Sequence, residues 1–238
     1  MEERSSILEY LKKDLVNNVN IINFIESYEC NYFERIGDSV LVKGTSDRKW
    51  VYISSGNEKE LKLLMDKLND TDREFAIIEN WMMPILTDGK KIKWKLSSIR
   101  LYLPEDVKLE STATNLDNLN ESDAEFIYNN SDYKEYLSIE YIIERIKNGV
   151  GSCIRYNGNL AAWGITQDDG AIGFLHVMPE YRKNGFGKAV TIDIIHKLRQ
   201  QGKLPYVHIE EKNTASMNLA QSMGFKADKE ICWFEIEN

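Results

Sequence analysis

The sequence predicts an α/β (α+β) protein organised in two parts. Three observations predict it. Apolar runs of helical period alternate with short strand-like apolar runs along the whole chain. A stretch from 104 to 120, rich in Glu, Asp, Asn, Ser and Thr, interrupts the alternation. Near residue 180 a strand runs into a basic glycine loop and then a helix. A chain of 238 residues accommodates two small domains, since domains commonly run to roughly 100–200 residues. The boundary is placed near 105, giving a divergent α/β domain over 1–105 and a second domain over 106–238.

From the N-terminus, Ile7, Leu8, Leu11 and Leu15 recur at helical spacing, and Ile21, Ile22 and Ile25 continue the pattern after an Asn-rich break, so two helices open the chain. Val40–Val42 and Trp50–Ile53 read as short strands around a Gly44-Thr45-Ser46-Asp47 turn, and Asn57 as the cap of a helix through Leu61, Leu64 and Leu68. Phe75–Ile78 reads as a buried strand, and Ile99–Leu103 as a last strand before Pro104. Residues 107–109 offer a further short strand. Helices are expected over 121–128 and 138–147, the second capped by Ser138 and stopped at Asn148-Gly149. Strands 152–156 and 160–166 flank Asn157-Gly158-Asn159, a strong hairpin signal. After Asp168-Asp169-Gly170 come a strand over 172–177, the glycine loop, a helix over 186–200, a strand over 206–210, a helix over 216–222 and a closing strand over 231–236.

Composition narrows the function classes. Hydrophobic residues make up 42% and charged residues 29%, which is ordinary globular usage. A net charge of −8 argues against a broad nucleic-acid or membrane surface but leaves room for a local basic site. Cys30, Cys153 and Cys232 are odd in number and widely spaced, which suits neither a disulfide framework nor a metal site, so a cytoplasmic protein without metal is expected. No run approaches the ~20 apolar residues of a membrane span.

Met178-Pro179-Glu180-Tyr181-Arg182-Lys183-Asn184-Gly185-Phe186-Gly187-Lys188 follows the strand ending at Val177. Two glycines let the backbone turn tightly so that several N–H groups converge, and the next helix adds its positive N-terminal end. Arg182, Lys183 and Lys188 bring full charges to a group as negative as a pyrophosphate, inside an acidic protein. A bare Gly-x-Gly is more often a simple helix-opening turn. Here Val177, Pro179, Arg182, Gly185 and Gly187 fall in register with the Val-x-Pro-x-x-Arg-x-x-Gly-x-Gly coenzyme A loop, which the segment resembles, of the GNAT superfamily. Asn213, Ser216, Leu219 and Met223-Gly224-Phe225 resemble a second family segment. More narrowly, Trp163, Asp168, Gly170 and Pro179–Arg182 are similar to the C-terminal half of glycine N-acyltransferases, which also carry a divergent N-terminal half.

The resemblance implies a C-terminal GNAT fold, a mixed sheet whose fourth and fifth strands splay around pantetheine, preceded by a smaller or divergent GNAT-like α/β domain. It implies acetyl-CoA, or another acyl-CoA, as co-substrate. The backbone of Leu175, His176 and Val177 would face the thioester and pantetheine; Arg182, Lys183, Asn184, Gly185, Phe186, Gly187 and Lys188 the pyrophosphate; and Asn213, with Ser216 beside it, the pantetheine arm. Family members often carry a glutamate base at the position of Ala171 and a tyrosine acid at that of Ala220, and both are absent here. That leaves His208, whose imidazole type titrates near neutrality, and Glu210, two residues on along the same strand face, as candidate catalytic groups. Strand alternation places His176 opposite Ala171 unless a bulge intervenes, and His196 is expected at the surface. The expected activity is N-acyl transfer to a primary amine of a small molecule such as an amino acid. The alternative is a catalytically silent acyl-CoA-binding sensor or scaffold. An ATP site is disfavoured because the loop lacks a Gly-Lys-Ser/Thr ending.

Overall fold

The computed structural model describes residues 3–111 and 114–237, and packing divides the chain into two compact units. The first comprises 1–100, 209–213 and 227–238; the second comprises 101–208 and 214–226. The division is therefore not a single cut in sequence.

In the first unit, α1 (Arg4–Leu11) and α2 (Leu15–Ser27) precede β1 (Cys30–Ile36), β2 (Ser39–Thr45), β3 (Lys49–Ser54), α3 (Glu58–Met65), β4 (Glu74–Glu79), the short α4 (Met83–Leu86) and β5 (Ile92–Tyr102). Strands β1 to β3 form an antiparallel meander, and β3 pairs parallel to β4 at Trp50↔Glu74 and Val51↔Phe75. Alternation along the strands splits their side chains between two cores. Val40, Val42 and Tyr52 join Ile7, Leu11, Ile21 and Phe24 on one face, whereas Leu41, Val51 and Ile53 join Leu61, Leu64 and Phe75 on the other.

Two sequence expectations change here. Gly44 lies within β2, opposite Trp50, and the turn is residues 46–48. Gly44 is there for close packing, since a Cβ on it would come within 2.7 Å of the Phe24 ring. Strand β1 was not anticipated at all.

The second unit opens with residues 107–109 in no regular element; the guanidinium of Arg199 holds this segment instead, donating to the Val107 and Pro104 carbonyls at 2.7 and 2.8 Å. Then follow α5 (Ala124–Asn129), α6 (Ile139–Asn148), β6 (Gly151–Tyr156), β7 (Asn159–Thr166), β8 (Ile172–Val177), α7 (Phe186–Gln200), β9 (Tyr206–Ile209) and α8 (Thr214–Ser222). The Ser138 hydroxyl accepts from the Tyr141 N–H at 3.1 Å, capping α6 as expected. Asn157 and Gly158, both at positive φ, make the β6–β7 turn. The sheet order is β9-β8-β7-β6, antiparallel except for β8 with β9.

The last strand, β10 (Lys226–Ile236), starts five residues earlier than its apolar run and pairs antiparallel with β4 in the first unit. In the same unit Arg100 is buried, its Nε donating to Asp228 and its Nη1 to Asn20 Oδ1, both at 2.7 Å.

The two units share an element order of two helices, a hairpin, a third strand, a helix and a parallel strand. They differ where the glycine loop would fall. In the first unit the equivalent turn is Ser54-Ser55-Gly56-Asn57, closed by Asn57 accepting from the Glu60 N–H at 2.9 Å and followed by the acidic Glu58 and Glu60. That helix end carries acids in place of an anion-binding cation set.

Candidate active site

Strand β8 is the pivot of the candidate site. It pairs with β7 at Ile172↔Thr166 and Gly173↔Ile165, then again at His176↔Trp163 and Val177↔Ala162. Three steps on β8 match two on β7, so one extra residue is accommodated at Phe174, whose φ is 51°. The bulge resets the alternation. Leu175 and Val177 lie toward α7, where they approach Gly164 and Gly187, while Phe174 packs with the α5–α6 layer. His176 is thereby turned to the same face as Ala171, stacked on Trp163 at 4.7 Å between ring centroids. The exception that the sequence reading left open is realised.

On its other edge β8 meets β9 in parallel at Ile172↔Val207 alone among the described residues, and past that pair the two strands part. The expected splay is present, and it begins at the bulge.

Beyond Val177 the loop is exposed. Arg182 Nε donates to the Val177 carbonyl at 3.1 Å and Asn184 Nδ2 to the Tyr181 carbonyl at 3.1 Å, so two side chains tie the loop to its own entry. Lys183 and Gly185 both adopt positive φ, 65° and 77°, and turn the backbone into α7. A Cβ at Gly185 would meet nothing within 4 Å, and one at Gly187 only ordinary contacts with Val177 and Leu219, so the concave side of the loop is open. The donor set is backbone N–H groups, a 15-residue helix's N-terminus and the exposed Lys183 and Lys188. It fits an anion such as the pyrophosphate of coenzyme A.

His208 lies on β9 two residues from Tyr206, on the opposite face from Val207 and so on the face shared by Ala171, His176 and Trp163. Its Nε2 is 2.8 Å from Asp169 Oδ2, and the two side chains are only 3% and 2% exposed. Ala171 is fully buried and Ala220 nearly so, so neither position offers a group that can move a proton. Glu210 follows β9, which ends at Ile209, and its carboxylate pairs with Lys212 Nζ at 3.0 Å. Asn213 donates its N–H to the Glu210 carbonyl at 2.9 Å, and Ser216 lies in the first turns of α8. His196 is not free at the surface: it is partly buried on α7, its Nε2 3.0 Å from the Leu109 carbonyl oxygen. Asp169 was not singled out from the sequence, where it looked like one residue of a turn.

Burial pushes the His176 imidazole below its ordinary 6.5, and the Arg182 guanidinium lowers it further, against a smaller upward pull from Asp132. His176 is therefore expected to titrate below 6.5, and Arg182→Ala to move its midpoint upward. NMR titration of the imidazole checks both; a midpoint unmoved by the substitution would break the assigned coupling. Because the folded value lies below the unfolded one, the unfolded chain binds the extra proton. Stability from this group is complete above 6.5 and falls as pH drops from there to the folded midpoint.

Among the described residues no helix is long and apolar enough to cross a membrane, and no cluster of His, Cys, Asp or Glu could hold a metal.

Residues 149–234 match the model of FR47-like proteins. Over 73 residues the chain is 32% identical to the [ribosomal protein bS18]-alanine N-acetyltransferase of Escherichia coli K12, covering 29% of this chain and 49% of that protein. The chain thus spans about half the length of the curated relatives it matches. In structure it resembles a Drosophila protein over 99% of this chain and 97% of the other (TM-score 0.82, 14% identity). It also resembles a GCN5-related N-acetyltransferase from Kribbella flavida over 94% and 95% (TM-score 0.57, 10% identity). At such identities the likeness is one of fold. Residues 149–234, which include the glycine loop at 182–188, are thus similar to FR47-like proteins, and the fold resembles that of GCN5-related N-acetyltransferases.

Proposed function

We propose that this protein is an N-acyltransferase that moves an acetyl or other short acyl group from coenzyme A to a primary amine, with His208 as the base and a small molecule such as an amino acid as the acceptor. The observation that carries the reading is the parting of β8 from β9 beyond Ile172↔Val207, with the open basic loop at one end and buried His208 on the adjoining strand. A thioester carbonyl needs a neutral amine beside it and a group that takes up the amine's proton. As the new C–N bond forms and the C–S bond breaks, His208 would accept that proton and return it to the departing thiolate. Bringing the two substrates together supplies a further large part of the rate. The curated relatives from E. coli are named as N-acetyltransferases of an alanine on a ribosomal protein, which supports an amine acceptor and makes a peptide the natural competitor to a free amino acid.

The test is thiol release from acetyl-CoA with glycine, spermidine and a peptide beginning with alanine. Turnover on glycine with none on the peptide supports the small-molecule acceptor, and the reverse overturns that part. Acetyl-CoA binding without turnover on any of the three would favour a silent sensor, the reading motivated by the buried alanines at 171 and 220.

Arg182→Ala unties the loop from the Val177 carbonyl and is expected to weaken acetyl-CoA binding by roughly 10- to 100-fold, about 1.5–3 kcal/mol for a lost hydrogen bond from a charged group. Calorimetry measures it, and an unchanged Kd would remove the loop from the cofactor site.

A further inference from the structure

The buried Asp169 occupies a mount built for one purpose. It sits in the turn that joins β7 to β8, where Gly170 has φ 92° and the Gln167 N–H donates to the Ala171 carbonyl at 2.8 Å. Its Oδ1 accepts from the Ala171 N–H at 3.1 Å, its own N–H donates to Asp168 Oδ1 at 3.1 Å, and its carbonyl accepts from the Tyr206 hydroxyl. Asp168 is in turn held by the Tyr141 hydroxyl at 3.2 Å, which ties the turn to α6. The Ala171 N–H orients the carboxylate and the other contacts hold the turn that carries it, and Oδ2 is the atom that meets His208 Nε2. The ring is restrained from a second side by Tyr206, edge-on at 5.5 Å and 80°. A buried pair of this kind adds little net stability against an apolar replacement.

We propose that Asp169 is the positioning residue of His208, a role that rests on the reading of His208 as the base. An aspartate carboxylate offers acceptors only, so the ring nitrogen facing it carries the hydrogen. With Nε2 protonated toward Asp169, Nδ1 is the basic nitrogen of the neutral imidazole; it is a buried atom in the free protein, and the amine's proton goes there. In the imidazolium that results, the Nε2–H···Oδ2 contact becomes charge-assisted and strengthens at the moment charge develops. Ala171, immediately before β8, offers no base, yet the same turn supplies the carboxylate that orients a base on β9.

The full-length protein, labelled with 15N-histidine, reports the tautomer directly. Long-range proton–nitrogen correlation is expected to show His208 protonated at Nε2 in the wild type and a mixed or reversed tautomer in Asp169→Asn. A wild-type ring protonated at Nδ1 overturns the proposal without any variant. In thiol release with whichever of glycine, spermidine or the alanine peptide turns over, Asp169→Asn is expected to lower kcat roughly 10- to 100-fold, by analogy with the outer partners of metal-bound histidines, with the KM for acetyl-CoA unchanged. Asp169→Glu should recover part of the loss. In a His208→Gln background Asp169→Asn should have no further effect on kcat, because a positioning residue acts only through what it positions. A second loss of similar size in that background, or a drop in kcat without a change of tautomer, means a structural role and overturns the proposal. The base reading fails separately, if His208→Gln alone leaves kcat intact while the tautomer still depends on Asp169.

Discussion

Replacing His208 with glutamine is expected to lower kcat by roughly two to four orders of magnitude, the usual worth of a positioned general base, while acetyl-CoA still binds. Glutamine is the informative substitution. Its amide can donate to Asp169 Oδ2 as the imidazole Nε2 does, so the buried carboxylate, 2% exposed, keeps a partner. What it cannot do is take up a proton. Alanine would remove the base and also leave Asp169 with an unanswered buried oxygen, mixing a chemical loss with a folding loss. Calorimetric binding of acetyl-CoA separates the two: retained affinity with lost turnover is the signature of a missing base. If His208→Gln turns over within twofold of the wild type, His208 is not the base, and Glu210 on the same strand exit is the next group to replace. The comparison also decides between enzyme and silent module, since a protein with no turnover to lose shows no effect from the substitution.

The parts of this site differ in how visible they are in sequence, and the difference is physical. The glycine loop is legible because it is local: its glycines, its cations and the strand and helix that bracket it are contiguous from Ile172 to Gln200. The β6–β7 hairpin is legible for the same reason. Asp169 was passed over because its partner lies 39 residues away, and a doublet of aspartates before a glycine reads first as a turn. The bulge at Phe174 leaves no residue signature that separates it from an ordinary strand, although it decides which way His176 faces. Strand β1 was missed because Phe33 is the one buried residue of Cys30–Ile36, which gives no alternation to read. The start of β10 was missed because Lys226–Glu230 is charged and mostly exposed, and only the apolar run from Ile231 announces a strand. The closing strand's place beside β4 is a matter of non-local pairing, which composition and periodicity do not encode.

Trp163→Ala is expected to cost the second unit about 3–5 kcal/mol, in the range for emptying a large buried aromatic site. Trp163 is 1% exposed and sits in the middle strand of β6, β7 and β8, opposite Cys153 on one side and His176 on the other. Its ring covers the His176 imidazole at an interplanar angle of 19° and meets Phe126 of α5 edge-on at 5.8 Å. Ala124, Ile127, Ile142, Leu160 and Ile165 complete the cluster. The side chain therefore fastens the helical layer to the sheet at the step where β8 changes face. Removing it leaves a cavity that rigid strand backbone cannot close, so the transfer loss and the cavity loss add. Urea denaturation followed by circular dichroism measures the cost, and Trp163→Phe, which keeps an aromatic ring there, should lose clearly less. The substitution also carries a functional expectation. His176 loses its stacking partner and becomes more hydrated, so its depressed midpoint should rise toward 6.5. A loss under about 0.5 kcal/mol, the level of an ordinary surface change, together with an unmoved His176 midpoint, would mean that Trp163 does not hold the bulged strand against the α5–α6 layer.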